Sequence, residues 1–188
     1  NSILDSLEIQ KVNGILLDLG LSSFQLDSKN RGFSYKTNCE LDMRFDRSQK
    51  ISALNIVNNM PEKMLADLIY YNSEEKRSRA IARKIISMRP INKVFDLVEA
   101  IKKSTPPFKR DKTISRVFQA VRISVNNELE KLDHFLSTFY PRLLNGGRIV
   151  IISFHSLEDR KVKHAFKLLK NKSKVRILTK KPLIPTEI

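Results

Sequence analysis

Two unbroken apolar runs stand out along the chain. Gly14-Ile-Leu-Leu-Asp18 and Arg148-Ile-Val-Ile-Ile-Ser153 show no polar alternation, the pattern of strands buried on both faces of a parallel sheet. Between them the spacing turns helical. Ala53, Leu54, Ile56 and Val57 form one stripe, and Met64, Leu65, Leu68 and Ile69 a second behind Pro61. Ala80, Ile81, Ile85 and Met88 form a third before Pro90, and Val94, Leu97, Val98 and Ile101 a fourth. Val117, Val121, Val125, Leu129, Leu132, Leu136 and Leu143 continue as two helices or one bent helix, which Asn145-Gly146-Gly147 is expected to end. Residues 1–10 read as a helix, residues 28–46 as a turn-rich loop, and Val175–Leu178 as a further strand. Ser156 with Asp159 reads as a capping box opening a helix over 157–170. The expected fold is α/β, with a helical insertion between two strands of one sheet.

Charge changes this picture. The 188 residues carry 35 Lys and Arg against 20 Asp and Glu, a net of +15, which points to a polyanionic partner, nucleic acid before anionic membrane. The excess lies outside the strand segments. Residues 44–125 hold 18 basic and 8 acidic side chains, and residues 160–181 hold 10 basic and none acidic. A net of +10 over one contiguous block favours RNA contact there over a merely solvated face. The third helical stripe adds Lys76, Arg77, Arg79, Arg83 and Lys84 beside its apolar positions, a candidate phosphate-facing surface. No apolar run reaches 18 residues and no signal pattern opens the chain, so no membrane partner is expected and a cytoplasmic location is. Cys39 is alone, which leaves no disulfide framework and no cysteine metal motif.

Candidate chemistry gathers at the strand ends. Asp18 closes the first run, and Leu19-Gly20-Leu21-Ser22-Ser23 follows as a small-residue turn, then Gln25. In open α/β sheets ligands bind outside the carboxyl ends of strands. Residue types alone leave two readings of Asp18 and the serines: a ligand site, or the cap of a turn or helix. Arg31, Phe33, Tyr35 and Arg44 interleave basic and aromatic groups in the following loop; they suit stacking and phosphate contact, or the aromatics are buried under the loop. Arg116, Gln119, Arg122 and Asn126 share neighbouring sides of one helix, facing an active site or solvent. His155, Glu158 and Asp159 follow the second run, but His134 and His164 lie outside ligand spacing, so no metal is expected. Ser153, His155 and Ser156 are too close in sequence to indicate a nucleophilic triad.

The stretches DLGLSSFQLD (Asp18–Asp27), RGFSY (Arg31–Tyr35) and LDMRFD (Leu41–Asp46) resemble the family of S-adenosylmethionine-dependent methyltransferases that modify cytosine N4 in 16S ribosomal RNA, the RsmH/MraW family. EKRSRAIARKI (Glu75–Ile85), RVFQAVRISVNNEL (Arg116–Leu129) and GGRIVIISFHSLEDRKVKH (Gly146–His164) are similar to the same family, so the resemblance spans nearly the whole chain. It implies a class I, Rossmann-like methyltransferase core with a helical insertion domain, S-adenosyl-L-methionine as cofactor, and small-subunit ribosomal RNA or the small subunit as partner. The implied division is a first core segment over 1–43, an RNA-recognition insertion over 44–125, and a second core segment over 126–188. By resemblance Asp18 and Gln25 match cofactor-contacting positions. Ser22 and Ser23 would face the target amine, with Asp18, as the catalytic group. His155 would line the pocket or touch the base, and Arg31, Phe33, Arg44, Arg116, Arg122 and Arg160 are the RNA-binding candidates. Two departures from the family pattern are Phe24, where proline is usual, and Thr113–Arg116 (TISR), which replaces a His-Pro-Ala-Thr-Arg-like run.

Cytosine N4 chemistry fits such residues. The sulfonium donor is already activated, and the amine lone pair, delocalised into the ring, must be drawn out by hydrogen-bond acceptors while the reactants are held in line. The base must leave its stack. A carbon-5 reaction would need a thiolate in a Pro-Cys loop, which is absent. The five glycines, at 14, 20, 32, 146 and 147, form no glycine-rich cofactor turn, so an N-terminal cofactor lobe and a C-terminal end are expected beyond these residues. The expected function is methylation of a cytosine near the decoding site. Its rivals are a non-catalytic RNA-binding or ribosome-assembly protein that keeps the fold, and a methyltransferase of another nucleic acid.

Overall fold

The computed structural model of the protein describes residues 2–22, 25, 28, 30–179 and 181–184. In chain order it contains α1 (Ser2–Ser6), β1 (Val12–Asp18), α2 (Ala53–Asn59), α3 (Glu62–Ser73), α4 (Ser78–Ser87), α5 (Val94–Lys103), α6 (Arg110–Asn126), α7 (Glu128–Thr138), β2 (Leu143–Ile152) and α8 (Ser156–Asn171), with 3-10 turns at Pro107–Lys109 and Tyr140–Arg142. Two compact units emerge, residues 1–20 with 129–188, and residues 21–128.

In the first unit β1 and β2 pair in parallel, Gly14 opposite Arg148 through Asp18 opposite Ile152. This is a mixed α/β arrangement. Leu132, Leu136 and Phe139 pack with Ile15, Leu17, Ile149 and Ile151 and with Val162, Phe166 and Leu169 of α8. Helices therefore cover one sheet face. On the other face Leu16 is 70% exposed, and Val150 and Ile152 are exposed too, so the expected burial on both faces is not met in these residues. Alternation was absent from the sequence because both faces are apolar; only one has a covering layer here.

Three expectations shift in this unit. The first helix ends at Ser6, because Glu8 takes a left-handed conformation (φ 57°) and the apolar side chains Ile3 and Leu7 find no cover. Asn145-Gly146-Gly147 lies within β2 rather than capping a helix, with a register irregularity between Val12 and Gly14 opposite it. Val175–Leu178 forms no strand; among the described residues the sheet has only two strands, and a lone extended segment has no ladder to satisfy its backbone.

In the second unit the four predicted stripes are the four helices α2 to α5. Leu65, Ile69, Ile81, Ile85, Val94, Leu97 and Ile101 are fully buried with Val117 and Val121 of α6, each such aliphatic side chain contributing about 1.5–3 kcal/mol by burial. Local sequence sets the ends. Ser52 and Asn55 form a capping box on α2, and Asp96 accepts from the Asn92 and Lys93 N–H groups ahead of α5. Left-handed residues at Glu74 and Asn127 stop α3 and α6. Asn127 thereby splits the long 113–144 periodicity into two helices.

The loop before α2 packs with these helices. Phe33, Leu41 and Met43 are in their core, and the compact unit that holds them begins at Leu21. Within it RGFSY and LDMRFD meet. Met43 N–H donates to the Arg31 carbonyl at 2.8 Å, and Gly32 (φ 70°) lies so close to the Glu40–Asp42 backbone that a Cβ there would meet the Glu40 carbonyl oxygen at 2.7 Å.

Candidate functional site

The parallel strands of the first unit end level, so Asp18–Gly20 and Ser153–Glu158 leave the sheet side by side. The Leu19 N–H donates to the Ile152 carbonyl at 3.0 Å. Gly20 (φ 121°) then lies against the Phe154 ring, where a Cβ would come within 2.9 Å of a ring carbon. Asp18 is exposed at this edge, a solvated carboxylate able to accept from a hydroxyl, amine or ammonium group.

The opposite loop is held by a buried carboxylate. His155, not Ser156, caps α8, and its Nδ1 accepts from the Glu158 N–H at 3.4 Å. Glu158 is 3% exposed; its Oε2 accepts from the Phe154 N–H at 2.9 Å. His155 Nε2 lies 3.3 Å from Glu158 Oε1 but off the hydrogen-bond line, so that contact is electrostatic. Burial pushes the Glu158 carboxyl up, but the facing imidazole and the Phe154 N–H outweigh it and hold the group below the ordinary carboxylate range. Both His155 nitrogens thus face Glu158. In this arrangement His155 caps α8 and braces the loop through Glu158.

A pH dependence follows. A depressed carboxyl pKa contributes stability above the ordinary carboxylate value and loses it as pH falls through the lowered value. Glu158→Gln is expected to cost about 1 kcal/mol at neutral pH, the difference between charged and neutral acceptors. Denaturant unfolding of both proteins down the acid range checks this: the gap should close as pH falls, and a pH-independent gap would refute the charge-based origin.

In the second unit Ser22 and Gln25 bond reciprocally. Gln25 N–H donates to Ser22 Oγ and Ser22 N–H to Gln25 Oε1, both at 3.2 Å. The capping reading of this turn is therefore realised, while the Gln25 amino group is not used in the box. Ser23 and Phe24 lie outside the described residues.

Several basic candidates turn inward. Arg31 donates to the Arg44 and Phe45 carbonyls and lies over the Phe33 ring at 5.6 Å. Phe33 is 6% exposed and stacked on Phe45, so the expected base stacking on Phe33 is withdrawn: the ring is core. Arg44 is bound to the buried Asp42 carboxylate and donates to the Arg47 and Gln49 carbonyls. Arg122 makes two bonds to Glu128, at 2.9 and 3.0 Å. Arg116 reaches Glu75, which also accepts from the Thr113 hydroxyl, and Gln119 donates to the Asn72 carbonyl. The polar stripe of α6 therefore faces neighbouring segments rather than solvent. Arg160 is exposed on α8.

Sequence reasoning did not single out Asp42 or Glu75, and it named Asn126 and Glu158 without the holding role that they have. Glu158, three positions after the cap residue and at the start of a basic helix, carried a readable capping signal, and Asn126 lay in the polar stripe of α6; Asp42 and Glu75 carried none. Among the described residues no three His, Cys, Asp or Glu side chains gather where they could hold a metal, and no helix is long and apolar enough to cross a membrane.

Comparison with known proteins places these features in a family. The model of the MraW methylase family matches residues 1–188. The chain is 50% identical over 189 residues to the ribosomal RNA small subunit methyltransferase H of Kosmotoga olearia, covering 98% of this chain and 63% of the relative. It is 50% identical over 191 residues to the protein of the same name from Thermotoga neapolitana, with 98% and 63% covered. The relative from Trichormus variabilis is 47% identical over 182 residues, with 95% and 59% covered. The chain thus spans a little under two thirds of the length of these curated relatives.

Proposed function

We propose, since this chain belongs to the MraW methylase family, that it forms part of an S-adenosylmethionine-dependent methyltransferase acting on small-subunit ribosomal RNA. The target is the exocyclic N4 of a cytosine in 16S RNA near the decoding site. The fold in this reading is a class I, Rossmann-like core carrying residues 21–128 as a helical insertion. The observation that carries it is the level ending of two parallel strands, with the Asp18 carboxylate exposed on one side and a loop braced by buried Glu158 on the other.

The residues present fit the donor in part. Asp18 is a solvated acceptor at a parallel strand's carboxyl end, the position where such sheets bind ligands; Gln25 has its amino group left over from the turn. By the family resemblance each is a candidate contact for S-adenosyl-L-methionine, whose sulfonium supplies an electrophilic methyl group. Ser22 and Ser23 would accept hydrogen bonds from the cytosine amine and so raise electron density on N4; the proton that N4 gives up, as the donor's carbon–sulfur bond is exchanged for a carbon–nitrogen bond, would pass to solvent. Gly20 lets backbone and the Phe154 ring close together without a side chain between them. Glu158 and His155 keep the second loop in one shape and so position that ring. Arg31, Arg44, Arg116 and Arg122 act by holding their segments, and Arg160 is the candidate phosphate contact on α8.

The test uses the full-length protein, isotope-labelled donor and unmodified small ribosomal subunits. Nucleosides from the digested RNA are identified by mass spectrometry. N4-methylated cytidine is the expected product. Label on another nucleoside would move the target, and RNA binding without label would favour a ribosome-assembly protein that keeps the fold.

A further inference from the structure

The strongest unassigned feature is an open basic groove in the second unit, between α4, the end of α5 and the turn leading to α6. It encloses about 650 Å³, and its lining includes Arg77, Arg83, Lys84, Lys102, Lys103 and Arg110 with no carboxylate. Two of these are fixed by the turn they flank. Arg77 Nε donates to the Ser104 carbonyl at 3.1 Å and Arg110 Nε to the Thr105 carbonyl at 3.3 Å, which leaves the outer edges of both guanidinium forks for a ligand. Two lining cations are paired with described carboxylates, Arg83 with Glu62 at 3.6 Å and Lys103 with Glu99 at 2.6 Å. Both pairs are exposed, and exposed pairs are worth at most about 1 kcal/mol, so a polyanion can displace them.

Aromatic surface borders this charge. Lys102 also lines a second hollow, of about 320 Å³, with Tyr35, Lys36, Phe95, Val98 and Glu99, the last paired with Lys103. Phe108, in the 3-10 turn between the lining residues Pro106 and Arg110, is 82% exposed, with Lys109 Nζ 5.3 Å from its ring centre. A protein core gains nothing from a phenylalanine in water. Beside a track of cations, exposed rings suit unstacked bases, whose faces a duplex would hide.

We propose that this groove and the adjoining hollow bind single-stranded RNA, with phosphates along the six cations and bases on Phe95 and Phe108. The inference rests on RNA being the substrate, and it locates a contact surface apart from the strand ends.

Fluorescence anisotropy of the full-length protein with a labelled single strand of about ten nucleotides, within the usual footprint, tests it across a salt series. Lys84→Ala with Lys102→Ala should weaken binding about tenfold and reduce the salt slope by about 1.4, two phosphates' worth for a single strand. Phe95→Ala and Phe108→Ala should each weaken binding about tenfold with the slope unchanged, and the Tyr variants should restore it. Lys50→Ala with Lys63→Ala removes equal charge elsewhere in the same unit and should change little. Methylation kinetics should show a raised KM and an unchanged kcat for the groove variants. Wild-type affinity in the groove variants, equal weakening in the control pair, or equal affinity for duplex RNA overturns the groove. RNA binding that depends on the groove without N4 methylation would overturn the catalytic reading and leave the groove standing.

Discussion

Asp18→Asn is expected to lower methyl transfer by about 10² to 10³, the scale of losing one preorganised polar contact, while leaving the unfolding midpoint nearly unchanged. The carboxylate sits at the last residue of β1 with its side chain in solvent and makes no hydrogen bond or ion pair with another described residue. Asparagine keeps the size and one acceptor, so folding loses almost nothing; surface changes of this kind stay within about 0.5 kcal/mol. What changes is charge. If Asp18 orients the donor, its substitution should raise the donor's dissociation constant and lower turnover together. Calorimetric titration of donor and single-turnover methylation read these separately. Full activity in Asp18→Asn would remove Asp18 from the site and shift weight to the serines.

Asn126→Ala should destabilise the second unit by about 3 kcal/mol, the largest stability effect expected of any single truncation here. Asn126 is 1% exposed, and its one amide serves three backbone partners. Oδ1 accepts from the Phe45 N–H at 2.7 Å, and Nδ2 donates to the Met43 carbonyl at 2.8 Å and the Arg122 carbonyl at 2.9 Å. Truncation strands the Phe45 and Met43 groups in a dry setting, each costing about 1–3 kcal/mol. Asn126→Asp keeps the acceptor, removes both donors and buries a charge against two carbonyls, so it should be at least as harmful. Urea unfolding measures the loss, and hydrogen exchange should quicken first over residues 31–49. A loss under about 0.5 kcal/mol would mean that Arg44 and Asp42 hold the loop unaided.

The helices were the most legible part. Each of α2 to α5 followed from an apolar stripe, with Pro61 and Pro90 marking two of the boundaries; the caps at Ser52 and Asp96 came from the structure. The strands were legible as runs, and their level ends brought Asp18 beside the Phe154–Glu158 loop. Less legible was the loop over 28–46. Arg31, Arg44 and Phe33 have the composition of a nucleic-acid contact, yet they fold back onto carbonyls, Asp42 and Phe45. Composition reports what a side chain can bind, not which partner reaches it first. The same holds for His155, whose Nδ1 accepts from the Glu158 N–H and whose Nε2 faces the Glu158 carboxylate three residues away.

The division has a physical cause. Periodicity, caps and runs arise between residues a few positions apart, so the order of elements, the basic character of the 44–125 block and the family motifs were readable from the chain alone. Partner choice is made across long separations: 81 positions between Asn126 and Phe45, and 38 between Thr113 and Glu75. Which arginines are spent inside the fold, and which remain along the groove beside Phe108, was decided only when packing brought those segments together, because a cation's availability depends on the carboxylates and carbonyls that tertiary contact places within its reach.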